Sequence, residues 1–319
     1  MILATGEQFS LEDGRQEAVV CEVGATLRAY LVDGQPVCWG FGADEMSSGG
    51  RGQVLAPWPN RLEDGRYVHD GRPAVAALDE PERHNAIHGL VRWRPWDLVD
   101  RSSTWVRMAC MLYPQPAYPF TILLSVEYRL GHDGLAVATT VENFGRTAAP
   151  FGIGFHNYLH AGAGGVDACR VALPATRHLV VDDRLLPRGT EPVAGGRLAG
   201  LCGDEPGPIG NLVLDDCFTA IRTDASGRWR ARFVPSGGPD DAVVVWADAA
   251  FAWATLFSGD SLEPGTRRVG LAVEPMTCPA NALRSGEGLV VLDPGERFTA
   301  TWGLSPSCLA ASHGPEPST

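Results

Sequence analysis

The sequence predicts an all-β protein, a large antiparallel β-sandwich. Short apolar or alternating segments recur about every ten residues and are separated by glycine, proline, aspartate or asparagine, the residues typical of turns. No segment has the apolar period of an amphipathic helix longer than two turns. A chain of 319 residues can form one such sandwich. We therefore expect a single domain over residues 1–309, followed by a flexible tail at residues 310–319.

The first half of the sequence contains nine predicted strands. Asp70-Gly71 is a typical hairpin turn, and Leu135 and Val137 begin a run that alternates along one strand face. The glycine-rich segment 46–52 precedes no helical pattern, so it is predicted to be a flexible loop and not a phosphate-binding loop. The predicted strands are residues 17–23, 26–32, 36–39, 66–69, 74–78, two within 96–113, 120–130 and 135–141.

The second half continues the pattern and ends with a carboxylate next to two prolines. The strand at residues 269–273 should end at or just after Glu274, because Pro275 cannot donate to a sheet ladder. A carboxylate at a rigid sheet edge is either a functional group or a solvated strand end. The predicted strands are residues 151–155, 169–173, 178–181, 212–214, 218–222, 229–234, 243–246, 251–257, 269–273, 289–292 and 297–304.

Composition restricts the partners and the compartment. The net charge of −12 and the isoelectric point of about 5.1 argue against nucleic acid and anionic membranes. No apolar run is long enough for a transmembrane helix, and the first residues do not resemble a secretory signal. The eight cysteines form no Cys-x-x-Cys pair, so we expect reduced thiols and a cytoplasmic protein.

Two polar segments in the first half are candidate site residues. Prolines stiffen the loop that carries Asn60 and Arg61, and a rigid loop can hold an arginine fork on a fixed target. The alternative is a surface arginine paired with Glu63. The second segment ends in His88-Gly89, where glycine lets the backbone turn and lets a ligand approach closely. The alternative for His88 is a hydrogen-bonded core histidine.

Two further segments lie in the second half. A strand with two glycines delivers His156 to its end. The spacing between His156 and His160 suits a metal pair only on a helix, which these glycines disfavour, so no metal site is predicted. Asp215 and Asp216 begin another predicted strand, a position where acidic residues are usually part of a turn.

Together these segments are more specific than any one of them. They occur in the order Asn60-Arg61, Asn85-x-x-His88-Gly89, His156-x-Tyr158, Asp215-x-x-Phe218 and Val273-Glu274-Pro275. The set closely resembles the aldose 1-epimerase (galactose mutarotase-like) family, in particular its bacterial aldose 1-epimerase-like branch. The resemblance covers roughly residues 16–304 and implies a galactose mutarotase-like supersandwich, in agreement with the strand pattern.

The resemblance also implies residue roles. Glu274 matches the family's general base and His156 its general acid. The substrate-binding positions match Arg61, His88, Asp215 and Asn60, and Asp215 fits better than Asp216. The residue after the acid is Asn157, where the family often has proline, threonine or serine, and the loop after Glu274 is less polar than in true galactose mutarotases. These departures bear on the identity of the sugar more than on the chemistry.

The sequence therefore predicts a cytoplasmic aldose 1-epimerase that needs no cofactor and acts on a small-molecule sugar as a monomer or homodimer. A base and an acid acting at two neighbouring oxygens suffice to open and close a sugar ring. The alternatives are a hexose-6-phosphate or sulfosugar 1-epimerase, for which Arg92 and Arg94 could supply cations, and a non-catalytic sugar-binding or sensing protein. A glycosidase fits less well, because only one strong candidate carboxylate is present.

Overall fold

The computed structural model describes residues 2–310, and the strand pairings among them are antiparallel. Apart from residue 310, the tail expected at 310–319 lies outside the described residues. The predicted all-β sandwich is confirmed. The two α-helices are four residues each, α1 (Ala282–Ser285) and α2 (Ser307–Ala310). Within residues 2–310, no helix is long and apolar enough to cross a membrane.

Thirteen strands lie before residue 144. They are β1 (Gln8–Asp13), β2 (Gln16–Cys21), β3 (Leu27–Val32), β4 (Gln35–Pro36), β5 (Val54–Leu55), β6 (Arg61–Glu63), β7 (Arg66–His69), β8 (Arg72–Val75), β9 (Asn85–Ile87), β10 (Asp97–Arg101), β11 (Trp105–Leu112), β12 (Ile122–Gly131) and β13 (Gly134–Asn143).

Fourteen strands follow. They are β14 (Ala149–Phe151), β15 (Gly154–Phe155), β16 (Tyr158–His160), β17 (Arg170–Ala172), β18 (Ala175–Val181), β19 (Pro187–Pro192), β20 (Gly207–Pro208), β21 (Asp215–Ile221), β22 (Arg228–Val234), β23 (Val243–Asp248), β24 (Trp253–Phe257), β25 (Gly270–Met276), β26 (Val290–Leu292) and β27 (Arg297–Pro306).

Two large sheets form the sandwich. The nine-stranded sheet has the order β10-β11-β12-β13-β27-β23-β22-β17-β20. The eight-stranded sheet has the order β19-β18-β21-β24-β25-β15-β5, and β16 also pairs with β25. A four-stranded sheet (β1-β2-β3-β4) and three strand pairs (β14-β26, β6-β9 and β7-β8) complete the fold.

The main hydrophobic core lies between the two large sheets. Phe155 on β15 packs against Trp302 on β27, with ring centroids 5.1 Å apart. The Trp229 Nε1–H on β22 donates a hydrogen bond to the Phe251 carbonyl just before β24, at 2.7 Å. Buried aromatic side chains contribute much of the packing energy of such a core, so the sheets are held together along their length.

Strand alternation determines which side chains face away from this core. On β25, Leu271 and Val273 belong to the core, so Glu274 lies on the opposite, outer face of the eight-stranded sheet. On β21, Phe218 belongs to the core, so Asp215 lies on the same outer face as Glu274. The sheet therefore presents the two carboxylates on one surface.

The strand continues further than the sequence predicted, which placed its end at or just after Glu274. Strand β25 runs Gly270–Met276 and includes Pro275. The backbone amides of Val273 and Thr277 both donate toward the side of β15 and β16, at 2.9 Å each, so the nitrogen of Pro275 points to that side too. It falls opposite the break between β15 and β16, where no ladder hydrogen bond is needed.

Other strand predictions also change. Residues 151–155 span the end of β14, a two-residue break and β15, and the two strands belong to different sheets. Residues 212–214 are not a strand. The prolines in β19 concealed a strand that lies at the edge of its sheet, where proline is tolerated. Polar residues concealed β1, although its Phe9 and Leu11 are buried.

The glycine at residue 152 is required by close packing against Cys278. A Cβ at Gly152 would lie 2.2 Å from the Cys278 Sγ. Gly152→Ala should lower the free energy of unfolding by roughly 1–3 kcal/mol, because the added methyl group overpacks this contact. Chemical denaturation measures the difference.

Cys278→Ala provides the matched background for this experiment. Without Sγ, the nearest remaining neighbour of the added Cβ is the Pro59 Cδ at 3.2 Å. Gly152→Ala should therefore cost less in that background than in the wild-type chain. An equal cost in both backgrounds would show that the contact with Cys278 is not the cause.

Candidate functional site

A pocket of about 410 Å³ opens on the outer face of the eight-stranded sheet. Every residue that the sequence proposed for the site lines it. They are Asn60, Arg61, His88, His156, Asp215 and Glu274. The residues come from five separate parts of the chain, and only the folding of β6, β9, β15, β21 and β25 brings them together.

Glu274 is a buried carboxylate on a buried strand. It is 2% exposed, and its neighbours across the ladder are Thr255 on β24 and, beyond it, Cys217 on β21. Its Oε2 atom has no hydrogen-bond partner within the protein. Glu274 is therefore a desolvated acid with an unused acceptor atom.

His156 lies in the break between β15 and β16. Its ring stacks on Tyr158, with centroids 5.0 Å apart and an interplanar angle of 18°, and the Tyr158 hydroxyl donates to the Gly49 carbonyl at 2.9 Å. The His156 Nε2 lies 3.4 Å from the Glu274 Oε1. Its Nδ1 has no partner within the protein. The stacking fixes the ring so that its Nε2 faces the carboxylate.

Burial favours the neutral forms of both groups. The pKa of His156 is lowered to about 3, mainly by burial and also by the Arg92 and Arg61 charges, while a backbone hydrogen bond opposes these effects. Burial also raises the pKa of Glu274 well above its ordinary value; Asp215 adds to the shift and Arg61 opposes it. The shifts therefore favour one proton on the pair, carried by Glu274.

His88 is a neutral hydrogen-bond donor. Its Nδ1 accepts a hydrogen bond from the Asn60 backbone amide at 3.2 Å, so the neutral ring carries its proton on Nε2. Burial lowers the pKa of His88 well below the ordinary value, and the neighbouring His156, Arg92 and Arg61 lower it further. The alternative of a hydrogen-bonded core histidine describes the burial and the hydrogen bond of His88 correctly. It does not describe its position, because His88 also lines the pocket.

Arg61 connects two carboxylates. Its Nε lies 3.0 Å from both Glu80 carboxylate oxygens, and its Nη2 lies 3.4 Å from the Asp215 Oδ2. The alternative pairing of Arg61 with Glu63 is wrong. The Glu63 carboxylate instead contacts Arg284, at 3.3 Å.

The structure distinguishes the two adjacent aspartates. Asp215 lines the pocket, whereas Asp216 forms an ion pair with Arg197 at 2.5 Å and does not. Burial raises the pKa of Asp215, Arg61 opposes that shift, and Asp216 adds to it. The interpretation of the aspartates as turn residues is wrong, since both belong to β21.

The sequence did not identify the glycine-rich loop as part of the site. Ser47, Ser48, Gly49 and Gly50 line the pocket. A Cβ at Gly50 would lie 2.5 Å from the His156 Cδ2, and its φ of +79° also favours glycine. The segment is therefore a closely fitted wall of the pocket. In the sequence, the only sign of this role is a run of glycines with no helix after it. Such a run does not indicate which residues the glycines pack against.

Asp79, Glu80, Trp93 and Phe257 also line the pocket and were not identified. Of the two arginines proposed as extra cations, Arg92 lines the pocket and Arg94 is not among the described residues that do.

The described part of the chain contains no cluster of metal-ligating side chains. No three His, Cys, Asp or Glu side chains within residues 2–310 are placed to hold a metal ion. His156 lines the pocket, whereas His160 lines a different cavity beside β4 and β16.

Comparison with known proteins identifies the family. The sequence profile of the family described as aldose 1-epimerase matches residues 7–305. The chain belongs to the aldose 1-epimerase family. A relative named as the uncharacterized protein YihR of Escherichia coli K12 is 32% identical over 293 residues, which cover 92% of this chain and 91% of the relative.

Solved structures share the fold of this aldose 1-epimerase family member. A galactose mutarotase-like protein from Clostridium acetobutylicum has a TM-score of 0.81 at 18% identity, covering 93% of this chain and 94% of the other. A galactose 1-epimerase from Lactobacillus acidophilus has a TM-score of 0.76 at 20% identity, covering 94% of each chain. The galactose mutarotase-like supersandwich implied by the sequence is therefore confirmed.

The raised pKa of Glu274 makes a prediction about stability. An acid whose pKa rises on folding stabilises the folded state fully below its ordinary pKa, and this contribution is lost as the pH rises through the folded-state value. Glu274→Gln removes the ionisable group and keeps the shape. Its melting temperature should match that of the wild type near about pH 4 and exceed it progressively toward about pH 8.

Thermal unfolding of both proteins across this pH range measures the effect. Glu287→Gln, at an exposed position, controls for the change of one charge. A gain in melting temperature that does not depend on pH, or that appears equally in the control, would contradict the proposed burial penalty.

Proposed function

We propose that this protein is an aldose 1-epimerase (mutarotase), an isomerase that interconverts the α and β anomers of a free aldose by acid–base ring opening. The observation that carries the proposal is the 3.4 Å approach of Glu274 Oε1 to His156 Nε2 in a pocket lined by hydroxyl-binding groups. An acid and a base at this separation can act on two neighbouring oxygens of one sugar.

Ring opening needs a base at the anomeric hydroxyl and an acid at the ring oxygen. Glu274 takes the anomeric proton as the bond between C1 and the ring oxygen breaks, and His156 gives its proton to that ring oxygen. The open aldehyde turns about its C1–C2 bond and closes on the other face, with both proton transfers reversed. The reaction is balanced without a cofactor.

The pair holds one proton at each stage. Before opening, the proton lies on His156 and Glu274 is ionised; after opening, Glu274 is protonated and His156 is neutral. Burial favours the second arrangement. The pocket thus favours the proton distribution that accompanies the open-chain intermediate, and a sugar must draw the pair into the first arrangement.

The other four residues bind the sugar in this proposal. The Nε2–H of His88 donates to the ring oxygen or to a neighbouring hydroxyl. Arg61 donates and the Asp215 carboxylate accepts, so a hydroxyl between them is held from both sides. Asn60 orients its neighbours: its amide donates to His88, and its side-chain oxygen accepts from the Arg61 amide at 2.9 Å.

Substitution of the acid or the base tests the mechanism. Positioned acid–base groups are worth roughly 10²–10⁴ in rate, so Glu274→Gln and His156→Asn should each lower kcat at least about a hundredfold. Sugar affinity should change less, because Arg61, His88 and Asp215 remain. The double variant should be little worse than the poorer single one.

Saturation-transfer NMR of anomer exchange in D-glucose and D-galactose, with calorimetry of sugar binding, measures these effects. Glu63→Gln and His160→Asn are the matched controls outside the pocket. Wild-type exchange in Glu274→Gln would remove Glu274 as the base. If the wild-type protein binds sugar without exchange above buffer, the non-catalytic sugar-sensing alternative replaces the enzyme.

The charges of the pocket favour a neutral aldose. Three carboxylates, Asp79, Glu80 and Asp215, line it against two arginines, Arg61 and Arg92. Each arginine is paired: Arg61 with Glu80 and Asp215, and Arg92 with Asp79 at 2.5 Å. A phosphate at C6 would meet carboxylates that already hold the available cations.

We expect kcat/KM for D-glucose and D-galactose to exceed kcat/KM for their 6-phosphates. Side-by-side exchange measurements at constant ionic strength give the ratio. A tenfold or greater preference for a 6-phosphate or a 6-sulfonated hexose would replace the neutral-aldose proposal with its alternative.

One observation favours the alternative of an anionic sugar: the buried Nε of Arg92 has no hydrogen-bond partner within the protein. Arg92→Ala would then harm the anionic substrate selectively.

We also propose that the protein acts in the cytoplasm. All eight cysteines are free, and six of them are buried. Free thiols are the usual state of cysteine in a reducing compartment.

A further inference from the structure

The buried carboxylate of Glu80 contacts Arg61 in the wall of the pocket. Glu80 is 7% exposed, and the Arg61 Nε lies at an equal 3.0 Å from both of its oxygens. The Asn85 side chain donates to the same carboxylate at 2.9 Å, and the Arg83 Nη1 lies 3.2 Å from its Oε1. Every strong contact of the Arg61 Nε is therefore with this one residue.

A short turn holds Glu80 in place. The Glu80 and Asn85 amides each donate to the other's carbonyl at 3.1 Å, around the 3₁₀ turn Pro81–Arg83. Arg184, in the loop between β18 and β19, braces the turn through bonds to the Arg83 carbonyl at 2.9 Å and to the His84 carbonyl at 2.8 Å. The turn is thus fixed by a residue that does not line the pocket.

This arrangement leaves the pocket side of Arg61 available. The guanidinium of arginine has five N–H donors in a rigid plane. Fixing the Nε–H on Glu80 sets the orientation of that plane, and the Nη2 then reaches Asp215 at 3.4 Å. The nearest contact of the Nη1 is the Asn60 Oδ1 at 3.5 Å, which is long for a hydrogen bond. The remaining N–H groups are therefore available to a ligand in the pocket.

We infer that Glu80 is the positioning residue for Arg61, and thereby a determinant of sugar affinity at this site. The inference rests on the proposed function only for the identity of the ligand. Without the Glu80 charge, Arg61 keeps one carboxylate partner, Asp215, and turns toward it. Arg61 and Asp215 then pair with each other in place of the sugar.

The consequence is a loss of binding with little loss of turnover. A residue that acts through uniform binding raises KM and leaves kcat nearly unchanged. Glu80→Gln should raise KM at least about tenfold and change kcat less than about threefold. Glu80→Asp keeps the charge on a shorter arm, so its KM should lie between those of the wild type and Glu80→Gln.

Glu82→Gln is the matched control. Glu82 lies on the same turn and carries the same charge, but its side chain is 64% exposed and forms an ion pair with Arg83 at 3.5 Å. Its removal should leave KM and kcat within about twofold, because exposed ion pairs contribute little. The comparison therefore separates the effect of losing the contact between Glu80 and Arg61 from the effect of losing one negative charge on the turn.

The experiment has two readouts. Anomer exchange and calorimetry with D-glucose, D-galactose and D-glucose 6-phosphate give kcat, KM and Kd for the wild-type, Glu80→Gln, Glu80→Asp and Glu82→Gln proteins. The ¹H–¹⁵N signal of the Arg61 Nε–H, identified by its loss in Arg61→Lys, reports the orientation of the guanidinium without any ligand. It should shift and exchange faster with water in Glu80→Gln but not in Glu82→Gln.

The outcomes separate this inference from the proposed function. If the wild-type protein gives no exchange but Glu80→Gln still alters the Arg61 signal and weakens sugar binding, the proposed function fails and the inference stands. If exchange is normal and Glu80→Gln behaves like Glu82→Gln in KM and in the Arg61 signal, the inference is overturned. If Glu80→Gln does not fold, Glu80→Asp decides by the same two measurements.

Discussion

The site depends on a carboxylate held in a place that disfavours its charge. Glu274 lies on a strand whose seven residues are all buried, and one of its oxygens has no partner within the protein. Desolvation of this kind is costly for an ion, so the proton is retained more strongly than on a free glutamate. The pKa of the neighbouring His156 shifts in the opposite direction, so the pair holds one proton, on Glu274.

Other charged residues of the pocket also affect the pKa of Glu274. Arg61 lowers the pKa of Glu274, while Asp215 raises it, so the two have opposing effects on one acid. Glu80 in turn holds Arg61, and the turn that carries Glu80 is braced from another sheet. The protonation of the pair is therefore linked to contacts well outside the pocket.

The sequence predicted the fold class well because alternation and turn residues are local signals. Two of its errors occurred where proline removes a ladder donor. Pro275 continues a strand because the neighbouring strand is broken opposite it, and β19 tolerates prolines because it lies at a sheet edge. The missing N–H of a proline disrupts a strand only where a neighbouring strand needs that hydrogen bond. The order of residues alone does not state which strands are neighbours.

The sequence by itself determined the all-β class, the family resemblance and the identities of six residues that line one pocket, Asn60, Arg61, His88, His156, Asp215 and Glu274. Only the tertiary structure decided that Asp216 pairs with Arg197, and that Arg61 pairs with Glu80 and not with Glu63. It also decided that a glycine-rich loop packs against His156. The physical reason is that side-chain direction, burial and pKa arise from contacts between segments far apart in the chain, and these exist only when the sheets have packed.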